Sequence, residues 1–129
     1  MAFEKTIVKT DKAPAAVGTY SQGVFVNGVY YFSGQIGFDS TTGELAATFD
    51  AQLENILKNI DGLLESQGLT RNNIVKTTVF LTDLKEFSKV NEAYIKFFQA
   101  PYPARSCVQV SALPRGAVVE IEVIAAKNV

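Results

Sequence analysis

The sequence predicts an α+β fold in one domain spanning residues 1–129: a mixed β-sheet with two helices packed on one face. Three observations carry that expectation. A β-hairpin is written around Asn27-Gly28, two later stretches repeat apolar residues at helical spacing, and the first of those is followed by a run rich in β-branched and aromatic residues. A chain of 129 residues is long enough to bury one core without staples.

A short strand around Thr6-Ile7-Val8 opens the chain, and 14–19 reads as loop. The hairpin covers 23–33: Asn27-Gly28 signals a type I′ turn, and Val24-Phe25-Val26 and Val29-Tyr30-Tyr31-Phe32 are its arms. Residues 38–43, rich in Asp, Ser and Thr, read as a loop. The first helix is expected from about Phe49 to Gln67, because Phe49, Leu53, Ile56, Leu57, Ile60, Leu63 and Leu64 recur at helical spacing. Thr48 is its expected N-cap and Gly68 its C-terminal stop. Asp50, Glu54, Lys58, Asp61 and Glu65 fall on the opposite face, which reads as solvated with a Glu54–Lys58 pair rather than as a paired-carboxylate site.

A strand over 74–81 follows, and then Asp83-Leu84-Lys85-Glu86 matches a capping box. The second helix should bury Leu84, Phe87, Val90, Tyr94, Ile95 and Phe98 and stop before Pro101 and Pro103. Strands over 104–112 and 117–126 finish the chain, and the short connection 113–116 suggests that they form a terminal hairpin. Right-handed crossovers would put both helices on one sheet face. The other face is left bare, and its apolar side chains call for association with other copies.

Composition excludes several function classes. With no histidine and one cysteine, a chain cannot assemble an ordinary zinc site or an internal disulfide, and no metal or other cofactor is expected. The net charge is −1 with Lys and Arg dispersed, so no basic patch for nucleic acid is read. No apolar stretch approaches the roughly 20 residues of a membrane span. The N-terminus lacks the features of a secretory signal, and a soluble cytoplasmic protein is expected.

Alternation in the penultimate strand puts Arg105, Cys107 and Gln109 on one face. Arg105 reads either as a guanidinium fork for a planar carboxylate or as half of a structural salt bridge with Glu120 or Glu122. Cys107 could be a nucleophile, but without a histidine to lower its pKa it reads as a buried, inert thiol. Glu120 lies in an apolar run, where an acid either pairs with a cation or is tuned for proton transfer. Ser33-Gly34-Gln35-Ile36-Gly37 is either a place where backbone approaches a ligand or a bulge.

Taken together, the segments resemble one family. Pro103-Ala104-Arg105-Ser106-Cys107-Val108, then Leu113-Pro114 and Glu120-Ile121-Glu122, are similar to the C-terminal signature of the Rid (reactive intermediate deaminase) family. Ala13-Pro14-Ala15-Ala16, Gly18-Thr19-Tyr20-Ser21-Gln22, Ser33-Gly34-Gln35-Ile36, Val75-Lys76-Thr77-Thr78-Val79-Phe80 and Val90-Asn91 follow the same order as in that family. Thr19 departs from the family's usual proline, which loosens a loop and removes no functional group.

The resemblance implies a chorismate-mutase-like fold, a homotrimer with ligand clefts between subunits, and a last strand inserted elsewhere in the sheet rather than in a terminal hairpin. It implies hydrolysis of 2-imino acids, or their enamine tautomers, such as 2-iminobutanoate, 2-iminopropanoate and 2-aminoacrylate, to 2-keto acids and ammonia. Arg105 would bind the substrate carboxylate and Glu120 would position or activate water. Tyr20, Ser33, Gly34, Gln35, Ile36, Asn91 and Cys107 would line the cleft. Two alternatives have other partners: an endoribonuclease that inhibits translation, a label family members have carried, and a non-catalytic sensor or chaperone for small carboxylates.

Overall fold

The computed structural model describes residues 3–128. Its elements in chain order are β1 (Thr6–Val8), β2 (Gly23–Val26), β3 (Val29–Phe32), β4 (Gln35–Ile36), α1 (Phe49–Ser66), β5 (Ile74–Leu81), α2 (Phe87–Phe97), β6 (Ala104–Gln109) and β7 (Val119–Ala126). The hairpin forms around Asn27 and Gly28, both at positive φ as a type I′ turn requires. Thr48 caps α1, its side chain accepting from the Ala51 amide, and Gly68 takes the left-handed conformation just past the helix. Glu54 and Lys58 pair at 3.4 Å on the exposed face of α1.

Two expectations for the second helix need correction. Asp83 does accept from the Lys85 amide, but it caps a 3-10 turn over Leu84–Glu86, and α2 itself starts at Phe87. The inward face of α2 is Val90, Tyr94 and Phe97, while Leu84 and Ile95 are exposed. A helix of 11 residues laid across a sheet buries one narrow stripe, and Ile95 points away from it.

The sheet runs β1-β2-β3-β7-β5-β6, with β4 also on β7. The last two strands are therefore not a hairpin. β6 pairs parallel to β5 at the sheet edge, while β7 inserts antiparallel between β3 and β5. The short 113–116 segment carries the chain past β5 to its other side, so its length said nothing about pairing. β3 and β4 both run along β7, but the register steps between Tyr31↔Ile124 and Gln35↔Ile121. Phe32, Ser33 and Gly34 thus face only Val123 and Glu122, which is a β-bulge.

One face of this sheet is sealed. Val79, Leu81, Val119, Ile121 and Val123 join Leu53, Ile56, Leu63 and Leu64 of α1 and Val90, Tyr94 and Phe97 of α2 in a single buried cluster. The other face carries the alternate residues of each strand. Ile7, Val24, Tyr31 and Ile124 are aligned in one row across four strands, with Ile7 and Tyr31 about half exposed. Phe80 and Val108 continue that apolar surface beside Thr78, Ser106 and Glu122. No helix among the described residues is long and apolar enough to cross a membrane.

Candidate active site

Two separate concavities hold the candidate residues other than Cys107. The first is about 650 Å³ in volume and is walled by the 14–22 loop, the bulge and the start of β7, with Tyr20, Ser33, Gly34, Gln35, Ile36 and Glu120 in its lining. Gln22 holds the loop in place. Its buried side chain accepts from the Thr10 amide at 2.7 Å and donates to the carbonyls of Thr10 and Pro14 at 3.0 and 2.8 Å. Tyr20 is half exposed at the rim, with its hydroxyl accepting from the Val17 amide. Ser33 ties the bulge to the same loop through its amide, donating to the Gln22 carbonyl, and its hydroxyl, donating to Ser21.

Gly34 explains the fit of Glu120. A Cβ at Gly34 would lie 2.6 Å from Glu120 Oε2, so only glycine lets the carboxyl rest against the bulge backbone. The segment is a bulge, and at Gly34 its bare backbone lies against the Glu120 side chain. Burial raises the Glu120 pKa above its ordinary 4.5, and repulsion from Glu122 adds to the rise. No cation pairs with Glu120 among the described residues, so the structural ion pair is not formed within the chain. Sequence reasoning missed Arg115 and Phe38 in this lining; the Arg115 guanidinium carbon sits 5.4 Å from the Phe38 ring centre.

The second concavity, also about 650 Å³, is lined by Asn91, Tyr94, Ile95, Tyr102, Pro103 and Arg105. Arg105 is exposed on the edge strand β6. Its Nη1 donates to Asn91 Oδ1 at 2.6 Å, and among the described residues no carboxylate pairs with it. The salt bridge to Glu120 or Glu122 is thereby ruled out within the chain. Cys107 lies two residues on, half-buried, its thiol pKa raised by burial and only partly offset by Arg105. That thiol is protonated near neutrality and unsuited to attack.

Register explains why the two concavities do not merge. Arg105 is aligned with Thr77 of β5 and, through it, with Val123, on the helix-covered face. Glu120 is aligned with Phe80 and Val108, on the bare face. The guanidinium and the carboxyl thus belong to opposite sides of one sheet. Among the described residues no three His, Cys, Asp or Glu side chains converge as a metal site.

Comparison with known proteins gives a consistent picture. The family described as Endoribonuclease L-PSP matches residues 10–127. The 2-iminobutanoate/2-iminopropanoate deaminase of Mus musculus is 46% identical over 125 residues, covering 96% of this chain and 93% of its own. The crystal structure of RidA from the Antarctic bacterium Psychrobacter sp. PAMC 21119 superposes with a TM-score of 0.92 at 51% identity, covering 95% of this chain and 99% of that one. E. coli TdcF with bound serine matches at 43% identity and a TM-score of 0.90, covering 95% and 99% of the two chains.

Proposed function

The chain belongs to the Endoribonuclease L-PSP family, in which the Rid deaminases fall, and from that premise we propose that it hydrolyses 2-imino acids to 2-keto acids and ammonia. The observation that carries this reading is Arg105: a guanidinium held by a neutral amide, without a carboxylate partner among the described residues, in a concavity of small-molecule size. A relative solved with bound serine, a small 2-amino acid, supports the same ligand chemistry.

The reaction asks little of the protein beyond placement. Water adds to C2 of the imine through its oxygen, giving a carbinolamine. The C–N bond then breaks as the hydroxyl proton leaves and the nitrogen is protonated, releasing ammonia and the 2-keto acid. Arg105 fixes the carboxylate next to C2 through two parallel charge-assisted bonds. Glu120, with its raised pKa, accepts the proton from water and returns it to nitrogen. Tyr20, Ser33, Gly34, Gln35, Ile36 and Asn91 shape the surrounding cleft, and Cys107 lies two residues along β6 from Arg105. An imine carbon is already electrophilic, so positioning and modest proton transfer suffice without a cofactor.

This scheme needs Arg105 and Glu120 in one cleft, and one chain holds them on opposite sheet faces. The reading therefore includes a homotrimer with a chorismate-mutase-like arrangement, in which the Arg105 concavity of one copy closes on the Glu120 concavity of the next. The single domain, a cytoplasmic location and small imino acids as partners complete the proposal. A coupled assay tests it: threonine dehydratase generates 2-iminobutanoate in place, and 2-oxobutanoate release is followed with and without this protein. Acceleration at catalytic amounts is expected. Stoichiometric binding without turnover would leave a sensor, and salt-sensitive RNA cleavage by repurified protein would leave a nuclease; either without deamination refutes the proposal.

A further inference from the structure

Arg105 is oriented by a platform on one face of α2. The guanidinium carbon lies 4.8 Å from the Phe87 ring centre and 5.5 Å from that of Tyr94, while Asn91 Oδ1 takes Nη1 at 2.6 Å. Positions 87, 91 and 94 succeed one another along a single helix face, so one rigid element supplies all three contacts. The platform is also tied back to the sheet. The buried Tyr94 hydroxyl donates to Thr77 Oγ1 at 3.0 Å, and Thr77 is the register partner of Arg105 on the neighbouring strand. The ring under the guanidinium and the strand that carries it are therefore fixed to the same residue.

We infer that Phe87, Asn91 and Tyr94 are positioning residues that hold the Arg105 fork open toward an incoming carboxylate. This rests on the deaminase reading for its substrate, but its geometry is independent of turnover. An arginine on an exposed edge strand would otherwise spread over many rotamers, and ordering it on binding would cost affinity. A carboxylate partner would order it too, but would occupy the fork and compete with substrate. Two ring faces and one amide oxygen orient the cation without neutralising it. Among the described residues only Nη1 is engaged, which leaves the edge formed by Nε and Nη2 for two parallel bonds. The Tyr94 hydroxyl has its pKa pushed up to about 12, chiefly by burial, so it remains a protonated tether to Thr77 rather than an acid for catalysis.

Phe87→Leu and Tyr94→Leu remove a ring face each, and Tyr94→Phe keeps the ring but loses the tether. Steady-state kinetics with 2-iminobutanoate, titration with 2-oxobutanoate, and the Arg105 Nε–H resonance in 15N-labelled protein are measured on each. Either leucine variant should raise KM about three- to thirtyfold with kcat within about threefold of wild type, and should weaken 2-oxobutanoate binding in parallel. Tyr94→Phe should fall between wild type and Tyr94→Leu. The Nε–H signal, assigned by its loss in Arg105→Lys, should lose its ring-current shift in both leucine variants. An unmoved resonance, or a fall in kcat and melting temperature at unchanged KM, would reduce the rings to packing and overturn the inference. A wild type that shows the shifted resonance and binds 2-oxobutanoate but turns nothing over would sink the deaminase reading alone.

Discussion

Replacing Arg105 by lysine keeps the positive charge and exchanges a planar fork for a point charge, which cannot reproduce a two-bond grip. Losing one charge-assisted bond is worth about 1.5–3 kcal/mol, so Arg105→Lys should lose at least about tenfold in kcat/KM and Arg105→Ala more. Because no carboxylate pairs with Arg105 among the described residues, neither change strands a buried charge, and thermal melts should stay near wild type. A collapsed melt with normal turnover would show a structural role instead. Glu120 makes a sharper paired forecast. An acid whose pKa is raised by folding holds its proton more tightly in the native state, so ionising it destabilises the fold. That penalty is absent below its unfolded value and accumulates as pH rises through the folded one. Glu120→Gln should therefore melt above wild type at pH 7, with the gap closing below about pH 4, while activity falls at least about a hundredfold. Melts and rates across pH check both halves. Cys107→Ala should retain most activity, since the thiol is kept protonated by burial; a folded but inactive variant would show that it attacks substrate.

At the scale of elements, α1 is where helix propensity and packing disagree. Gly62 sits inside the helix, where alanine would ordinarily gain about 1 kcal/mol. Here a Cβ would run into the backbone carbonyl of Lys12, so the N-terminal segment lies directly on the helix. Backbone cannot swing aside as a side-chain end can, and overpacking of this kind costs about 1–3 kcal/mol. Gly62→Ala should therefore destabilise, measured by denaturant midpoint at unchanged slope; a stabilised variant would mean the contact relaxes freely. The same disagreement between local and tertiary preference accounts for α2. Apolar spacing placed Leu84 and Ile95 inside, yet the helix begins after the 3-10 turn and buries only one stripe.

For the whole molecule, the bare sheet face sets the expectation. Ile7, Val24, Tyr31 and Ile124 form an apolar row with Tyr31 half exposed, the kind of surface that association covers. Wild type should sediment as a trimer at micromolar concentration. Tyr31→Lys places a charge in that row without touching the α1–α2 core, and should yield a folded monomer that has lost at least about a hundredfold in activity, because its two half-sites no longer meet. A monomer that turns over imino acid normally would refute the shared cleft. A wild type that remains monomeric would refute the assembly itself.

The sequence alone determined what depends on neighbours along the chain. Hairpin arms and turn, the α1 boundaries with Thr48 as cap, and the extent of β5 are all local properties of spacing and side-chain type. The resemblance of scattered segments then pointed to the family, and to a displaced last strand, that periodicity could not reach. Tertiary structure decided pairing and facing. β7 crosses to the far side of β5, which puts Glu120 and Arg105 on opposite faces, and the one-residue bulge at 32–34 brings Gly34 against Glu120. Tyr94 is core and Phe87 packs against it, as their spacing indicated, but only the fold shows that both rings also bed a guanidinium. Strand order and helix docking are set by burying apolar area between segments far apart in sequence, and that energy has no signature in any one window of residues.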